Sequence, residues 1–421
     1  MALDLDVATG PVRASVPVPG SKSVANRALV CAALANGESL LRGLPGGDDT
    51  DAMIDGLRRL GVGVESVAPD EWRVRGAEIL GGVEIDARLA GTTSRFLTAV
   101  AALGERVTTV SGDEALRRRP MGELHRALRA LGANVVSDDG RLPVSVSRGD
   151  LVGGVVDMAG DVSSQFVSAL MMVAPLLPNG LEIHLTSPLV SRPYVAMTAA
   201  VMSTFGAEGI GVSESRISIE SSGYRAVDTT IEPDASSASY PLAAAAITGG
   251  RVRVPGLTRQ SWQGDVAIVD ILGSMGCRIS FDDGGAEVEG RELHGIEIDM
   301  ADVSDLVPTV AVVAAFADSP TTITGVGFIR RKESDRIGDL VAGLAAVGCH
   351  AEALDDGLSI RSSGALRGAR LGTHHDHRLA MAWSLLALRV PGISVDDPSV
   401  VSKSWPTWWD VRSTLLTSAI R

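Results

Sequence analysis

Two kinds of helical pattern alternate along the chain. In the first, apolar residues at helical spacing end in an apolar residue followed by Gly, as in Ile54, Leu57 and Leu60 before Gly61. The Gly supplies the left-handed residue that ends such a helix. The pattern recurs at intervals of 71, 74, 70 and 72 residues, at Leu60-Gly61, Leu131-Gly132, Phe205-Gly206, Met275-Gly276 and Val347-Gly348.

The second pattern is an almost wholly apolar helix, and it lies between copies of the first. A helix that is apolar all round must be buried on every side, whereas the helices ending in Gly can face water. We therefore expect repeats with one inner helix, one outer helix and intervening strands, the tail Trp405–Arg421 being a sixth outer helix without its Gly. The inner helices begin near Arg27, Arg95, Phe166, Tyr240, Leu306 and Arg378.

Six repeats in 421 residues predict an α/β protein with two domains of three repeats each. The repeat boundaries place the change of domain near Glu232 and Pro233. The segment Leu5–Pro19 is typical of a strand and is expected to complete the C-terminal half. The predicted domains are therefore residues 21–232, and residues 1–20 with 233–421.

A formal charge of −13 disfavours a nucleic-acid or anionic-membrane partner, since either needs a broad basic face. Leu306–Ala317, one of the longest apolar stretches, is well below the ~18 residues that span a bilayer. The first 20 residues carry acidic groups where a signal peptide has a basic start, so a cytoplasmic location is expected. Three scattered cysteines, Cys31, Cys277 and Cys349, are expected to be buried free thiols.

Polar residues precede every inner helix. Ser, Thr and Asp are ordinary caps worth ~1 kcal/mol each, but Lys and Arg at a helix start cost ~0.3–1 kcal/mol unless an anion lies beside them. We therefore expect these helix starts to converge on a small anionic ligand. The segments are Ser21-Lys22-Ser23 with Asn26 and Arg27, Gly91-Thr92-Thr93-Ser94-Arg95, Ser163-Ser164-Gln165, Asp234-Ala235-Ser236-Ser237, Asp305, and Asp376-His377-Arg378.

Other interpretations of these segments, as nucleotide-binding or metal-binding sites, have weaker support. The run Gly20-Ser21-Lys22-Ser23 lacks the earlier Gly and the Gly-Lys pair of a P-loop, and no G-x-G-x-x-G occurs. Nucleotide use is therefore disfavoured. The histidines of Thr373–Arg378 could bind a metal, but the adjacent arginine would repel a cation, so anion contact is favoured. Neither a metal nor a cofactor is expected.

Three charged loops remain ambiguous when each is taken alone. Charge runs are most often solvated surface, although catalytic loops also follow rigid strands. The loops are Arg330–Arg336, Arg117–Pro120 and Val401–Pro406.

Taken together and in order, the motifs resemble the 5-enolpyruvylshikimate-3-phosphate synthases over essentially the whole chain. The resemblance implies two inside-out α/β domains of three repeats with the active site in the interdomain cleft. It also implies transfer of the carboxyvinyl group of phosphoenolpyruvate to the 5-hydroxyl of shikimate 3-phosphate, with release of phosphate. The matching motifs are Pro19–Ser23 with Asn26-Arg27-Ala28, Ala90-Gly91-Thr92 with Arg95, Arg119-Pro120-Met121, Asp161–Phe166, Ser191–Tyr194, Asp234–Ala238, Lys332–Arg336, Asp376-His377-Arg378 and Lys403-Ser404.

The resemblance also implies a role for individual residues. Glu333 would donate a proton and Asp305 would accept one, with Lys22 and His377 as further participants. Lys22 and Gln165 would touch both substrates. Phosphoenolpyruvate would be held by Arg119, Arg336, Arg378, Lys403 and the Gly91 backbone; shikimate 3-phosphate would be held by Ser163, Ser164, Ser191 and Tyr194, with Ser23, Arg27 and Lys332.

The chain departs from the family pattern at three positions. Phe328 stands where many members have Asn, Leu89 where Asn is common, and Phe96 where Pro is frequent. Three alternatives remain. The first is a transferase acting on a UDP-sugar, which typically uses a loop Cys, and the second is an RNA-terminal phosphate cyclase, which needs a nucleotidylated His. The third is a non-catalytic sugar-phosphate binder. We expect a monomer.

Overall fold

The structure is a computed structural model that describes residues 2–418. The chain divides into two compact units. The central unit is Gly20–Ile231, and the terminal unit comprises the chain up to Pro19 together with the chain from Glu232 onward. Each unit has its own apolar core. No helix within residues 2–418 is long and apolar enough to cross a membrane.

The six inner helices lie where the apolar pattern predicts, each beginning within five residues of the predicted position, and almost every residue in them is buried. Four of them are capped by a side chain that accepts a backbone N–H of the first turn, from Ser21, Ser163, Asp234 or Asp376. They are α1 (Lys22–Leu34), α3 (Gly91–Ala101) and α6 (Ser164–Val173) in the central unit, and α8 (Ala235–Thr248), α10 (Val307–Ala314) and α12 (His377–Leu386) in the terminal unit.

The outer helices also lie where the Gly-ended pattern predicts. Each of the five predicted glycines has a φ between 84° and 107°, a conformation that costs Gly little. The sixth outer helix exists and lacks this Gly. The outer helices are α2 (Asp48–Arg59), α5 (Gly122–Ala130), α7 (Arg192–Thr204), α9 (Ile268–Ser274), α11 (Arg336–Ala346) and α13 (Trp408–Ser418), and a short α4 (Glu114–Arg117) precedes α5.

The central unit contains three four-stranded sheets of the same design. In each, one edge strand runs parallel to its neighbour and the other pairs are antiparallel. The sheet orders are β14-β3-β5-β4, β6-β7-β9-β8 and β10-β11-β13-β12. The strands are β3 (Glu38–Arg42), β4 (Gly63–Ala68), β5 (Glu71–Arg75), β6 (Glu84–Asp86), β7 (Thr108–Ser111), β8 (Asn134–Ser137), β9 (Val144–Ser147), β10 (Gly154–Met158), β11 (Leu181–Leu185), β12 (Gly211–Val212), β13 (Arg216–Ile219) and β14 (Thr229–Thr230).

The terminal unit repeats this design twice and ends in a three-stranded sheet. The orders are β16-β17-β15-β2, β18-β19-β21-β20 and β1-β23-β22. Short 3₁₀ turns occur at Ala174–Leu176 in the central unit and at Gly264–Ala267, Ser304–Leu306, Gly327–Arg331 and Pro398–Lys403 here. The strands are β1 (Leu3–Asp4), β2 (Arg13–Ser15), β15 (Arg251–Pro255), β16 (Arg278–Asp282), β17 (Gly285–Glu289), β18 (Glu297–Asp299), β19 (Thr321–Thr324), β20 (His350–Leu354), β21 (Gly357–Arg361), β22 (Arg370–Leu371) and β23 (Ser394–Val395).

The first sheet of each unit is completed by a strand from beside a crossover between the units. β2 pairs in parallel with β15, and β14 pairs in parallel with β3. The expectation of one strand over Leu5–Pro19 is wrong in extent, because only Arg13–Ser15 of that segment is in a strand. Pro11, Pro17 and Pro19 flank it, and proline cannot donate to a sheet.

Candidate active site

In the central unit, Lys22 is held by a buried carboxylate. Its Nζ lies 2.8 Å from Oδ2 of Asp49, whose side chain is only 4% exposed in the first turn of α2. The backbone carbonyl of Asp49 in turn accepts from the Thr93 hydroxyl on α3. The starts of α1, α2 and α3 therefore meet, and the helix-start cation is compensated by the protein itself.

Arg27 lies one turn deeper on α1 and is almost fully buried. Its Nε donates to Thr198 at 2.7 Å and its Nη2 donates to Ser168, so the residue joins α1 to α6 and α7. Its Nη1 donates to the carbonyl of Ser23 at 2.8 Å. Burial lowers the pKa of Arg27 to about 10, which leaves the guanidinium charged at neutral pH.

Gly91 is the first residue of α3 and lies against two guanidinium groups. A Cβ at this position would lie 2.5 Å from Nη1 of Arg95 and 2.7 Å from Nη1 of Arg119. Of the three consecutive arginines, Arg119 is thus the one beside a helix start. Arg117 instead donates to Gly112, and Arg118 donates to Glu114 at 3.0 Å.

The start of α6 adjoins the start of α3. The side-chain amide of Gln165 donates to the Thr92 hydroxyl at 3.3 Å. Ser163 caps α6 by accepting from the Gln165 N–H, and Ser164 is buried behind it. This end of the helix therefore presents hydroxyl and backbone N–H groups, which is the chemistry that binds phosphate.

Ser191 and Tyr194 mark the start of α7. Ser191 precedes the helix with φ of 54° and ψ of 46°, a left-handed conformation that is uncommon for a residue with a Cβ. The carbonyl of Tyr194 accepts from the Thr198 hydroxyl at 2.7 Å, and the Tyr194 ring lies 5.8 Å from the Arg27 guanidinium. The hydroxyl-rich starts of α6 and α7 are thus linked through Arg27.

In the terminal unit, Arg336 is the centre of a cluster of carboxylates, which we call the Arg336 cluster. Its guanidinium donates to Asp376 at 2.7 Å, to Asp305 at 2.8 Å and to Glu333 at 2.9 Å, and its side chain is only 1% exposed. Burial alone would lower the pKa of Arg336, but the three carboxylates raise it. Arg336 is therefore permanently charged.

Two further cations complete the cluster. Arg378 donates to Asp305 at 2.8 Å, and Nζ of Lys403 donates to Glu333 at 2.9 Å. Burial would raise the pKa of Asp305, but Arg378 and the neighbouring cations hold it well below its ordinary value. Asp305 is therefore ionised at neutral pH.

For Asp376 the sequence predicted no role beyond capping a helix. The structure shows a fully buried carboxylate that caps α12 by accepting from Arg378 N–H at 2.9 Å and also accepts from Arg336. His377, the next residue, is buried with its Nδ1 3.9 Å from Asp376. Asp376 therefore sets the positions of both arginines.

Asp49 and Asp265 were not predicted either. Asp265 is buried and accepts from the Ser236 hydroxyl in the first turn of α8. Burial, reinforced by the nearby charge of Asp305, raises the pKa of Asp265 to about 7. The sequence offered only acidic residues near helix starts as a signal, and such residues are usually explained as caps.

The structure describes the other sequence candidates as well. His374 and His375 have φ values of 50° and 59° in the turn before α12. Within residues 2–418, no group of three or more His, Cys, Asp or Glu side chains is arranged to hold a metal ion. The three cysteines are buried free thiols, as predicted, and burial raises the pKa of Cys31 to about 12 and of Cys277 and Cys349 to about 11.

Comparison with known proteins gives a match that spans both units. A family model described as EPSP synthase (3-phosphoshikimate 1-carboxyvinyltransferase) covers residues 7–411. The chain belongs to the EPSP synthase family. The family predicted from the ordered motifs is therefore confirmed.

Two relatives of this EPSP synthase family member carry the name 3-phosphoshikimate 1-carboxyvinyltransferase. The protein from Methanosphaerula palustris is 40% identical over 410 residues, which cover 95% of this chain and 96% of the relative. The protein from Nostoc punctiforme is 40% identical over 415 residues, which cover 97% of each.

Solved structures confirm the fold of this EPSP synthase family member. An EPSP synthase from Acinetobacter baumannii matches with a TM-score of 0.81 and 25% identity, covering 98% of this chain and 97% of that one. The enolpyruvyl transferase NikO from Streptomyces tendae, 17% identical, shares the fold with a TM-score of 0.77 and the same two coverages. The predicted pair of inside-out α/β domains is thereby confirmed.

Proposed function

We propose that this chain transfers the carboxyvinyl group of phosphoenolpyruvate to the 5-hydroxyl of shikimate 3-phosphate and releases phosphate. Membership of the EPSP synthase family supports this reaction. The observation that carries it is the Arg336 cluster, in which Asp305 and Glu333 lie on the same guanidinium at 2.8 and 2.9 Å. An acid and a base are thus held beside groups that bind anions.

Phosphoenolpyruvate carries a carboxylate and a phosphate, and we assign both to basic groups. Arginine offers a planar fork of donors that matches either anion. Arg336, Arg378 and Lys403 of the terminal unit are proposed to act on this substrate, together with Arg119 and the Gly91 backbone of the central unit. The proposed shared contacts are Lys22 and Gln165.

The cations of the Arg336 cluster already contact carboxylates of the protein. Lys403 donates to Glu333 and Arg378 donates to Asp305. A substrate anion that binds here must share these donors or take them over. Binding of phosphoenolpyruvate would therefore exchange contacts of Glu333, and this exchange frees the carboxyl to carry the proton that it must donate.

Shikimate 3-phosphate is assigned to the hydroxyl-rich helix starts of the central unit. Ser163, Ser164 and Ser191 are proposed to bind its phosphate, with Tyr194 beside them, because backbone N–H groups and hydroxyls at helix starts favour phosphate. The remaining proposed contacts of this substrate are Ser23, Arg27 and Lys332.

The proposed chemistry begins with addition. The Glu333 carboxyl gives a proton to the methylene carbon of phosphoenolpyruvate, the 5-hydroxyl oxygen bonds to the central carbon, and Asp305 takes the hydroxyl proton. In the elimination, the Glu333 carboxylate takes a proton back from the new methyl group, the bond between the central carbon and the phosphate oxygen breaks, the double bond re-forms, and phosphate leaves with the proton that Asp305 held. Lys22 and His377 are candidates for assisting these proton transfers. Protonation of the methylene carbon leaves positive charge on the central carbon, and water would trap this cation. The reacting site must therefore exclude water.

A phosphate-release assay tests this proposal. Phosphate should appear only when phosphoenolpyruvate and shikimate 3-phosphate are both present, and it should persist after treatment with a metal chelator. Omitting either substrate is the control. Release that requires a UDP-sugar in place of shikimate 3-phosphate would overturn the assignment. Monomeric state and cytoplasmic location stay predictions, to be checked by sedimentation and by fractionation of cells.

A further inference from the structure

The turn that leads into α12 contains two consecutive left-handed residues. His374 and His375 have φ values of 50° and 59°, and across them the Asp376 N–H donates to the Thr373 carbonyl at 2.8 Å. A turn with both central residues at positive φ normally takes Gly, Asn or Asp, because a Cβ makes this conformation unfavourable. The turn is therefore strained, and its surroundings must hold it in place.

Packing on the two histidines does not supply this restraint. Both side chains are exposed, and Nε2 of His374 lies 3.6 Å from the Asp339 carboxylate, too far for a hydrogen bond. An exposed ion pair of this kind contributes little to stability. The restraint on the turn must therefore act at its two ends.

Asp396 holds the first end of the turn. The N–H and the hydroxyl of Thr373 both donate to Oδ1 of Asp396, at 2.8 and 2.9 Å. Thr373 is only 1% exposed, so its two donors need an acceptor within the fold. Burial would raise the pKa of Asp396, but the donors of Thr373 hold it below its ordinary value. Asp396 is therefore a charged acceptor, and hydrogen bonds to a charged acceptor are strong ones.

Asp376 forms the second end of the turn and connects it to the Arg336 cluster. Its carboxylate accepts from Arg336 Nε at 2.7 Å and from Arg378 N–H at 2.9 Å. If the turn were released at Thr373, its central residues would relax toward negative φ and displace the Asp376 carboxylate. Asp396 is thus linked to both arginines through the strained turn.

We propose that Asp396 is a positioning residue for phosphoenolpyruvate, because its contact with Thr373 keeps the strained turn closed and Asp376 in place against Arg336. This inference rests on the proposed function, in which Arg336 and Arg378 bind that substrate. Only part of the free energy of the two Thr373 contacts should reach the arginines. Removing the acceptor should therefore raise the KM for phosphoenolpyruvate about fivefold, which corresponds to about 1 kcal/mol.

The test compares Asp396→Ala with Asp396→Asn, with kcat and both KM values measured for each protein. The alanine removes the acceptor and should raise the KM for phosphoenolpyruvate about fivefold, while the KM for shikimate 3-phosphate changes less than about twofold. The asparagine keeps an oxygen that accepts from Thr373 and should leave both KM values within about twofold of wild type. A variant that only lost folded protein would show a lower kcat and unchanged KM values.

The variant His375→Gly tests whether Asp396 acts by opposing strain in the turn. Glycine adopts a left-handed conformation without the penalty of a Cβ, so the turn should then close without its restraint. In the Asp396→Ala background, His375→Gly should return the KM for phosphoenolpyruvate to within about twofold of wild type, and by itself it should have almost no effect.

Two further variants guard against poor folding and unspecific effects. Thr373→Val loses the hydroxyl donor but keeps the shape of the side chain, and it should raise the KM for phosphoenolpyruvate about twofold even if Asp396→Ala folds poorly. Asp318→Ala is the matched control, since Asp318 also accepts from a hydroxyl in the terminal unit, that of Ser319 at 2.8 Å. It should leave both KM values unchanged.

The inference is overturned if Asp396→Ala, or Thr373→Val where the alanine variant does not fold, leaves the KM for phosphoenolpyruvate unchanged or raises both KM values equally. It is also overturned if His375→Gly fails to lower the raised KM. Failure of the proposed function looks different, because the wild-type protein itself would then release no phosphate from the two substrates.

Discussion

Replacing Asp376 with Asn removes one charge from the Arg336 cluster and keeps the shape of the side chain. Asp376 is 0% exposed, and both of its oxygens accept hydrogen bonds. One accepts from Arg378 N–H at 2.9 Å and more weakly from Arg336 Nη2 at 3.5 Å, and the other accepts from Arg336 Nε at 2.7 Å. Since Asn caps helices as well as Asp does, the first contact survives the substitution.

The contact with Arg336 determines how far the substitution lowers the free energy of unfolding. A hydrogen bond to a charged group contributes about 1.5–3 kcal/mol, and breaking an isolated buried ion pair costs about 3–5 kcal/mol. Arg336 retains Asp305 and Glu333, so the loss should fall below the second range. We therefore expect Asp376→Asn to lower the free energy of unfolding of the terminal unit by about 2–3 kcal/mol.

Urea unfolding followed by tryptophan fluorescence measures this loss of stability in the terminal unit. Five of the six tryptophans lie in the terminal unit, and Trp72 alone lies in the central unit. With a slope of about 2–3 kcal/mol per M, the midpoint should fall by about 1 M. The KM for phosphoenolpyruvate should rise as well, because Arg336 is proposed to bind it.

Asp397→Asn is the matched control for the lost charge. Asp397 also caps a turn, accepting from Ser399 N–H at 3.0 Å, and it is not part of the Arg336 cluster. Its variant should unfold within about 0.3 M of wild type. Equal midpoints for Asp376→Asn and Asp397→Asn would refute the reasoning, since Arg336 would then not depend on Asp376.

Three further outcomes are expected. Glu333→Gln should slow turnover by ~10²-fold or more, because the proton donor is lost, and calorimetry should find shikimate 3-phosphate binding nearly intact; an equal loss of binding would make Glu333 structural. Gly91→Ala should raise the KM for phosphoenolpyruvate about tenfold, because its Cβ displaces Arg119, and an unchanged KM would contradict that contact. The raised pKa of Asp265, about 7, means that the folded protein keeps a proton that the unfolded chain loses above pH ~4. Asp265→Asn should thus gain stability relative to wild type by up to about 1.4 kcal/mol per pH unit from pH ~4 to ~7 and then level off. The same difference in urea midpoint between the variant and wild type at pH 4.5 and at pH 8 would exclude this.

The helices of this fold could be predicted because their signal is local. An inner helix is apolar on all sides, and an outer helix ends in a residue such as Leu60 followed by a Gly with positive φ. The order of strands could not be predicted in the same way. β14 pairs with β3 although the paired residues Leu41 and Thr229 are 188 positions apart in the sequence.

The basic half of the candidate site was also predictable from local sequence. A lysine or arginine at a helix start is unfavourable by itself, so Lys22 and Arg378 stood out against the macrodipole. In the structure both are compensated, Lys22 by Asp49 and Arg378 by Asp305. The cations are thus compensated within the protein, and the anionic ligand expected from the sequence stays a prediction, since it has to compete with these carboxylates.

The carboxylates that hold those cations were harder to find, because each has a sufficient local explanation. Asp376 caps α12 and Asp49 lies in the first turn of α2, where an acidic residue is favourable in any helix. A carboxylate has two oxygens, however, and a cap uses only one of them. The second oxygen of Asp376 binds Arg336, 40 positions away, and Asp49 binds Lys22, 27 positions away. A cap becomes a positioning residue only when folding brings a distant cation to its unused oxygen, and that partner cannot be read from the spacing around the cap.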